Sequence, residues 1–191
     1  MRVVAGKARS ILLETPKGNG TRPTTDRIKE TLFNMLQGYC PGAVVLDLFA
    51  GSGGLGIEAL SRGADYACFA DQDRNAVKCI TGNVERAGFK DCSDVYQSDY
   101  QSTILRLKGI SRKFDLVFLD PPYDMELEFK ALKALADADL LTDDCLVVVE
   151  AKKEHDPQAF ADMGFAIKKQ KIYKSNQHYF LVKHSEEQDH E

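Results

Sequence analysis

The stretch Val44-Val45-Leu46-Asp47-Leu48-Phe49-Ala50-Gly51-Ser52-Gly53-Gly54-Leu55-Gly56 decides the fold. An apolar run broken only by Asp47 reads as a strand buried on both faces, as strands of a parallel sheet are. Gly51, Gly53 and Gly56 fit G-x-G-x-x-G, and a helical pattern through Ile57, Ala59 and Leu60 follows. In that strand-to-helix context the glycines have a mechanism: they permit a tight turn and let a ligand approach the backbone. The spacing by itself fits an NAD site, a site for another nucleoside, or a turn with no ligand.

Outward from this unit, short apolar runs alternate with helical stretches. Strand candidates are Val44-Leu48, Tyr66-Ala70, Asp94-Gln97, Phe114-Leu119, Cys145-Glu150, Phe165-Tyr173 and His178-Lys183; helical patterns lie near 54 to 62, 73 to 87, 100 to 107, 126 to 138 and 156 to 163. Alternation of this kind predicts right-handed crossovers and a mostly parallel sheet covered on both faces. Only Lys174-Ser175-Asn176-Gln177 separates the last two strands, too short for a crossover, so they are expected to pair antiparallel. Upstream, Arg2-Val3-Val4-Ala5 and Ile11-Leu12-Leu13 predict a small hairpin, followed by a Gly/Pro/Thr-rich loop and an amphipathic helix over about 25 to 38.

A chain of 191 residues with 43% hydrophobic and 28% charged residues is one globular domain's worth of sequence. Neither a signal peptide nor an apolar run long enough for a membrane span is visible, so the chain reads as cytosolic. Five cysteines (Cys40, Cys68, Cys79, Cys92, Cys145) with no C-x-x-C pair suggest neither disulfides nor zinc, and read as small buried apolar side chains. His155, His178, His184 and His190 lack metal-ligand spacing and read as surface residues. The net charge of -4 is unevenly placed. Residues 1 to 30 carry seven basic side chains (Arg2, Lys7, Arg9, Lys17, Arg22, Arg27, Lys29) against three acidic ones (Glu14, Asp26, Glu30), a net of +4 that leaves -8 for the remainder. A second basic run, Lys168, Lys169, Lys171 and Lys174, precedes an acidic tail over 185 to 191 that reads as a frayed end.

The second strand ends at Asp71, about where nucleotide-binding sheets place a carboxylate on ribose hydroxyls. Asp73 is the rival, but its position suits capping the next helix, a role open to both. The fourth strand runs into Asp120-Pro121-Pro122-Tyr123 at the carboxyl end of the sheet, where open α/β sheets hold their ligands. Prolines remove N–H donors and fix φ, so carbonyls there can turn toward a substrate. The Asp120 carboxylate and the Pro121 carbonyl then offer two acceptors to an exocyclic amine. Hydrogen bonds from both amine hydrogens orient the nitrogen lone pair and offset the charge that develops when it attacks. Tyr123 is placed to stack on an unstacked base.

These residues resemble a known family. Asp120-Pro-Pro-Tyr123 with Asp47-Leu-Phe-Ala-Gly-Ser-Gly-Gly54 upstream is similar to S-adenosylmethionine-dependent amino-methyltransferases acting on adenine N6 or guanine N2. Met1-Arg-Val-Val-Ala-Gly-Lys7, Thr21-Arg-Pro-Thr-Thr-Asp-Arg27, Glu30-Thr-Leu-Phe-Asn34 and Gly56-Ile-Glu-Ala-Leu-Ser-Arg-Gly63 resemble the RsmD family, which methylates guanine N2 in bacterial 16S ribosomal RNA. The resemblance implies that Asp47, Phe49, Ala50, Gly51 and Gly53 cradle the methionine part of S-adenosylmethionine. It also implies that Asp71 holds the ribose, that Asp99 contacts the adenine amino group unless it only caps the following helix, and that Asp120 borders the cofactor.

The expectation is therefore a seven-stranded, Rossmann-like α/β methyltransferase sheet, mostly parallel with a C-terminal antiparallel hairpin. Residues 1 to 40 form a basic hairpin, loop and helix extension, 41 to 184 the catalytic core and 185 to 191 the tail. Asp120, Pro121, Pro122 and Tyr123 are the catalytic candidates; no metal and no covalent intermediate are required, and no cysteine sits where a carbon-5 pyrimidine enzyme needs its nucleophile. Arg2, Lys7, Arg9, Arg22 and Arg27 are the candidate phosphate contacts to 16S ribosomal RNA, recognised in an assembling small subunit, since no separate target-recognition domain fits. Removing residues 1 to 20 should then weaken RNA methylation more than cofactor binding. An adenine-N6 methyltransferase and an NAD-dependent oxidoreductase or nucleotide-binding module are the alternatives.

Overall fold

The computed structural model describes residues 1–16, 26–122, 126–153 and 157–184. Its centre is a sheet of seven strands: β1 (Val44–Asp47), β2 (Tyr66–Asp71), β3 (Ser93–Gln97), β4 (Phe114–Leu119), β5 (Leu141–Ala151), β6 (Phe165–Ile172) and β7 (Gln177–Lys183). The order is β3-β2-β1-β4-β5-β7-β6. The strands from β3 across to β5 are parallel, and β7 runs antiparallel between β5 and β6. The expected hairpin is therefore present, with β7 inserted next to β5.

Among the described residues, six α-helices cover the sheet: α1 (Asp26–Met35), α2 (Gly54–Ser61), α3 (Arg74–Ala87), α4 (Tyr100–Gly109), α5 (Leu127–Asp137) and α6 (Gln158–Asp162). Alternation along the strands sorts the core into two layers. Val45, Phe69, Leu116, Phe118, Val148 and Phe180 pack under α1, α2 and α3. Leu46, Val117, Leu119, Val147, Tyr179 and Leu181 pack under α4, α5 and α6. The strand order reverses at β1, with β2 added on one side of it and β4 on the other, which opens a crevice at their carboxyl ends.

Element boundaries follow the expected ones closely, with one instructive difference. Strand β5 starts at Leu141, before the apolar run that begins at Cys145. Its polar first turn is held by the neighbouring strand: Leu141 pairs with Phe114, the register shifts before Leu116, and the Thr142 hydroxyl donates to the Phe114 carbonyl at 3.1 Å. Among the described residues no helix is long and apolar enough to cross a membrane.

The N-terminal hairpin is short, with one bridge between Arg2 and Leu12, and it is welded to α2. The Glu58 carboxylate accepts from the amides of Val4 (2.8 Å) and Ala5 (3.0 Å), and the Ser61 hydroxyl accepts from the amide of Ala8 (2.9 Å). A buried Lys29 from α1 pairs with Glu58 at 3.4 Å and donates to the Arg2 carbonyl, while Arg62 pairs with Glu58 at 2.9 Å. The arm is thus part of the core packing, so deleting residues 1 to 20 would strip donors from a buried carboxylate as well as remove positive charge.

Candidate active site

Three carboxylates mark the carboxyl ends of β1, β2 and β4. Asp47 ends β1, is almost wholly buried, and accepts from the amide of Gly56 at 3.1 Å, which braces the start of α2 against the strand. Burial, with the charge of Asp71 nearby, pushes its carboxyl up to about 7. The glycine loop between them has two jobs. A Cβ on Gly56 would stand 2.3 Å from the Phe69 ring, so this glycine lets α2 sit down on the sheet. Gly51, at φ 57°, faces open space where a Cβ would meet nothing within 4 Å, leaving bare backbone to a ligand.

Asp71 closes the same loop. Its two carboxylate oxygens accept from the amides of Gly51 and Asp73, each at 2.9 Å. Each oxygen keeps further acceptor capacity, which suits a pair of vicinal hydroxyls. Asp73 is the N-cap of α3, accepting from the amide of Asn75 at 2.9 Å, so the two acids divide as their positions suggest. Asp99 caps α4: the amide and hydroxyl of Ser102 donate to its two oxygens at 2.8 and 2.9 Å, and these bonds hold its carboxyl below the usual range. Next to it, the rings of Phe49 and Tyr100 pack at 6.1 Å, joining the glycine loop to the start of α4.

Asp120 follows β4 directly, beside Pro121, which is buried, and Pro122, which is exposed. Burial, then the negative charges of Glu150 and Asp47, raise its carboxyl well above the ordinary value. Asp120 lines a small pocket with Leu32 of α1, Leu55 of α2, Phe118, Val148, Glu150 and His178. The last of these corrects the expectation that histidines lie at the surface. His178 is 2% exposed and faces Glu150 across the β5–β7 ladder, with its Nε2 3.1 Å from Glu150 Oε2. His184 is exposed; His155 and His190 lie outside the described residues.

Neither Tyr123 nor Arg22 is among the described residues. Of the other candidate phosphate contacts, Arg2, Lys7, Arg9 and Arg27 are all exposed, and Arg2 pairs with Asp26 at 3.2 Å. The cysteines follow their reading in part. Cys40, Cys68 and Cys145 are buried, with thiols pushed up by burial to about 11, 11 and 12, whereas Cys79 and Cys92 are half-buried.

The strand order, a glycine loop and acids across the carboxyl ends of β1, β2 and β4, and an antiparallel β7 define a Rossmann-like methyltransferase fold. The chain belongs to the RsmD family, described as conserved hypothetical protein 95, whose model matches residues 1–182. It is 38% identical over 156 residues to ribosomal RNA small subunit methyltransferase D of Haemophilus influenzae, covering 81% of this chain and 80% of that one. The Escherichia coli protein of the same name is 37% identical over 155 residues, covering 81% and 76%. Among solved structures, the Escherichia coli protein yhhF superimposes with a TM-score of 0.83 at 31% identity, over 96% of this chain and 98% of that one. A conserved protein from Streptococcus pyogenes gives 0.74 at 36% identity, over 81% and 94%.

Proposed function

We propose that this chain transfers a methyl group from S-adenosylmethionine to N2 of one guanine in 16S ribosomal RNA, acting in the cytoplasm on an assembling small subunit. The observation that carries this reading is the place of Asp120: a half-buried carboxylate directly after β4, in a pocket that shares its wall with the start of the glycine-loop helix through Leu55. Family membership supplies the substrate class, since relatives matched over most of their length are small-subunit ribosomal RNA methyltransferases.

Cofactor and site are chemically compatible. The open backbone at Gly51 and the buried acid Asp47 suit the amino-acid end, with its ammonium, and the remaining acceptor capacity of Asp71 suits the ribose hydroxyls. Phe49, Ala50 and Gly53 complete the loop. Asp99 would accept from the adenine amino group through lone pairs its capping bonds leave. When bound, the cofactor supplies a methyl already activated by a sulfonium leaving group. The protein's own task is then orientation and proton management. Asp120 and the Pro121 carbonyl accept the two amine hydrogens, which turns the nitrogen lone pair out of conjugation with the ring. As the new N–C bond forms, the amine becomes more acidic, and Asp120, whose proton affinity is raised, takes the leaving proton. Pro122 stiffens the turn, and Tyr123 stacks on the base. Arg2, Lys7, Arg9, Arg22 and Arg27 bind phosphates and set the register without reading sequence.

The test is transfer of tritium from methyl-labelled S-adenosylmethionine to unmodified small subunits, naked ribosomal RNA and DNA, followed by nucleoside analysis. N2-methylguanosine in small-subunit RNA is expected. Label recovered as N6-methyladenine, or only in DNA, would overturn the reading.

A further inference from the structure

Beyond the glycine loop, a second polar cluster sits where β4, β5 and β7 meet. Glu150 near the end of β5 and His178 near the start of β7 are direct partners across the antiparallel ladder. The Asn176 side-chain amide donates to Glu150 Oε1 at 2.7 Å, and His178 Nε2 lies 3.1 Å from Glu150 Oε2. The Glu150 and His178 side chains are 12% and 3% exposed. His178 Nδ1 is buried with no hydrogen-bond partner, so the proton belongs on Nε2, pointing at Glu150. The edge-on ring of Tyr173, 5.1 Å away, holds the imidazole in place. Both Glu150 oxygens thus have a partner, and Glu150 lines the same pocket as Asp120.

Two adjacent carboxylates repel each other unless donors stand between them. A purine edge with three hydrogens side by side answers that demand. Guanine carries N1–H next to its N2 amine. Adenine instead flanks its N6 amine with the N1 lone pair, which a neighbouring carboxylate would oppose. We propose that Glu150 selects guanine: its carboxylate accepts N1–H of the base whose N2 amine is held by Asp120 and Pro121. This inference rests on the reading of the site as a base-amine methyltransferase, and it assigns the choice of base to a residue outside the Asp120-Pro121-Pro122 turn.

The probe is 2-aminopurine placed by ligation at the target position, once label transfer has mapped it. 2-Aminopurine keeps the N2 amine but has a lone pair at N1 and no O6. A hydrogen bond to a charged group is worth about 1.5–3 kcal/mol, so wild type should prefer guanine by at least about tenfold in kcat/KM. In Glu150→Gln the side chain can turn its amide donor toward N1, and the guanine preference should shrink by about that factor. Loss of O6 affects wild type and variant alike and cancels in the comparison. Equal rates on the two bases in wild type, or an unchanged preference in a Glu150→Gln protein still stabilised by S-adenosylhomocysteine, would overturn the inference. If Glu150→Gln does not fold, Glu150→Asp, which withdraws the carboxylate by one methylene, should also shrink the preference, and an unchanged preference there would equally overturn it. Failure of wild type to make any N2-methylguanosine is a different result, and refutes the proposed function.

Discussion

Glu58→Ala should destabilise the protein by about 4 kcal/mol, because Glu58 ties the arm, α1 and α2 together. Its fully buried carboxylate accepts from two backbone amides of the arm, at 2.8 and 3.0 Å, and faces Arg62 at 2.9 Å and Lys29 at 3.4 Å. Lys29 is itself fully buried. Burial lowers the proton affinity of its amine, and the charge of Glu58 is the main influence opposing that shift. Removing one member of a buried pair costs roughly 3–5 kcal/mol, because the other is left charged and unpaired. Two orphaned amides add to this, while water entering the truncated site offsets part of it. For a chain of this size such a loss corresponds to a fall of roughly 10 °C in Tm. Urea unfolding followed by circular dichroism measures it. The companion variant Lys29→Met leaves Glu58 with Arg62 and the two amides, so it should cost less than half as much. A Glu58→Ala protein within about 1 kcal/mol of wild type, or a Lys29→Met protein equally damaged, would refute the idea that this carboxylate organises the arm.

Asp47 should couple cofactor affinity to pH. Its carboxyl is raised to about 7 in the free protein, and a ligand ammonium favours the ionised form, so S-adenosylhomocysteine binding should strengthen by up to about tenfold per pH unit from pH 5 toward 7 and then level. Calorimetry on Asp47→Asn should show weaker binding without that slope; a pH-independent wild type would refute the coupling. In the proposed mechanism Asp120 accepts the amine hydrogens as a carboxylate, so kcat/KM should rise with pH through a carboxyl titrating above the ordinary range, and Glu150→Gln, which removes a neighbouring negative charge, should move that limb to lower pH. An acid limb that stays put in Glu150→Gln would count against charge repulsion as its cause. Because the arm is built into the core, its electrostatic role is better read from exposed side chains than from a deletion. Lys7→Gln with Arg9→Gln should leave S-adenosylhomocysteine affinity unchanged and make the salt dependence of RNA binding shallower, by roughly 0.7–0.9 in log–log slope for each phosphate no longer neutralised; an unchanged slope would remove these two residues from the RNA interface.

What was legible in the sequence, and what was not, divides along strand direction. Parallel strands buried on both faces are continuous apolar runs, and a polar residue that ends such a run sits at the carboxyl edge of the sheet, where ligands bind. Asp47, Asp71 and Asp120 are found by that rule, and Glu150, at the end of Cys145-Glu150, obeys it too. His178 does not. It lies at the start of its strand, and β7 runs antiparallel, so the amino end of β7 is what meets the carboxyl end of β5. A histidine opening a strand therefore reads as an edge residue until the direction of β7 and its place beside β5 are known. Glu58 and Lys29 are hidden for a related reason. Each is one charge in a short helical pattern, and only the return of residues 2 to 8 across α2 buries them together. Local pattern reports the elements and the residues at their ends; partners supplied by a reversed strand or a returning arm are properties of the assembled sheet, and the residue proposed to choose the base is held by one of them.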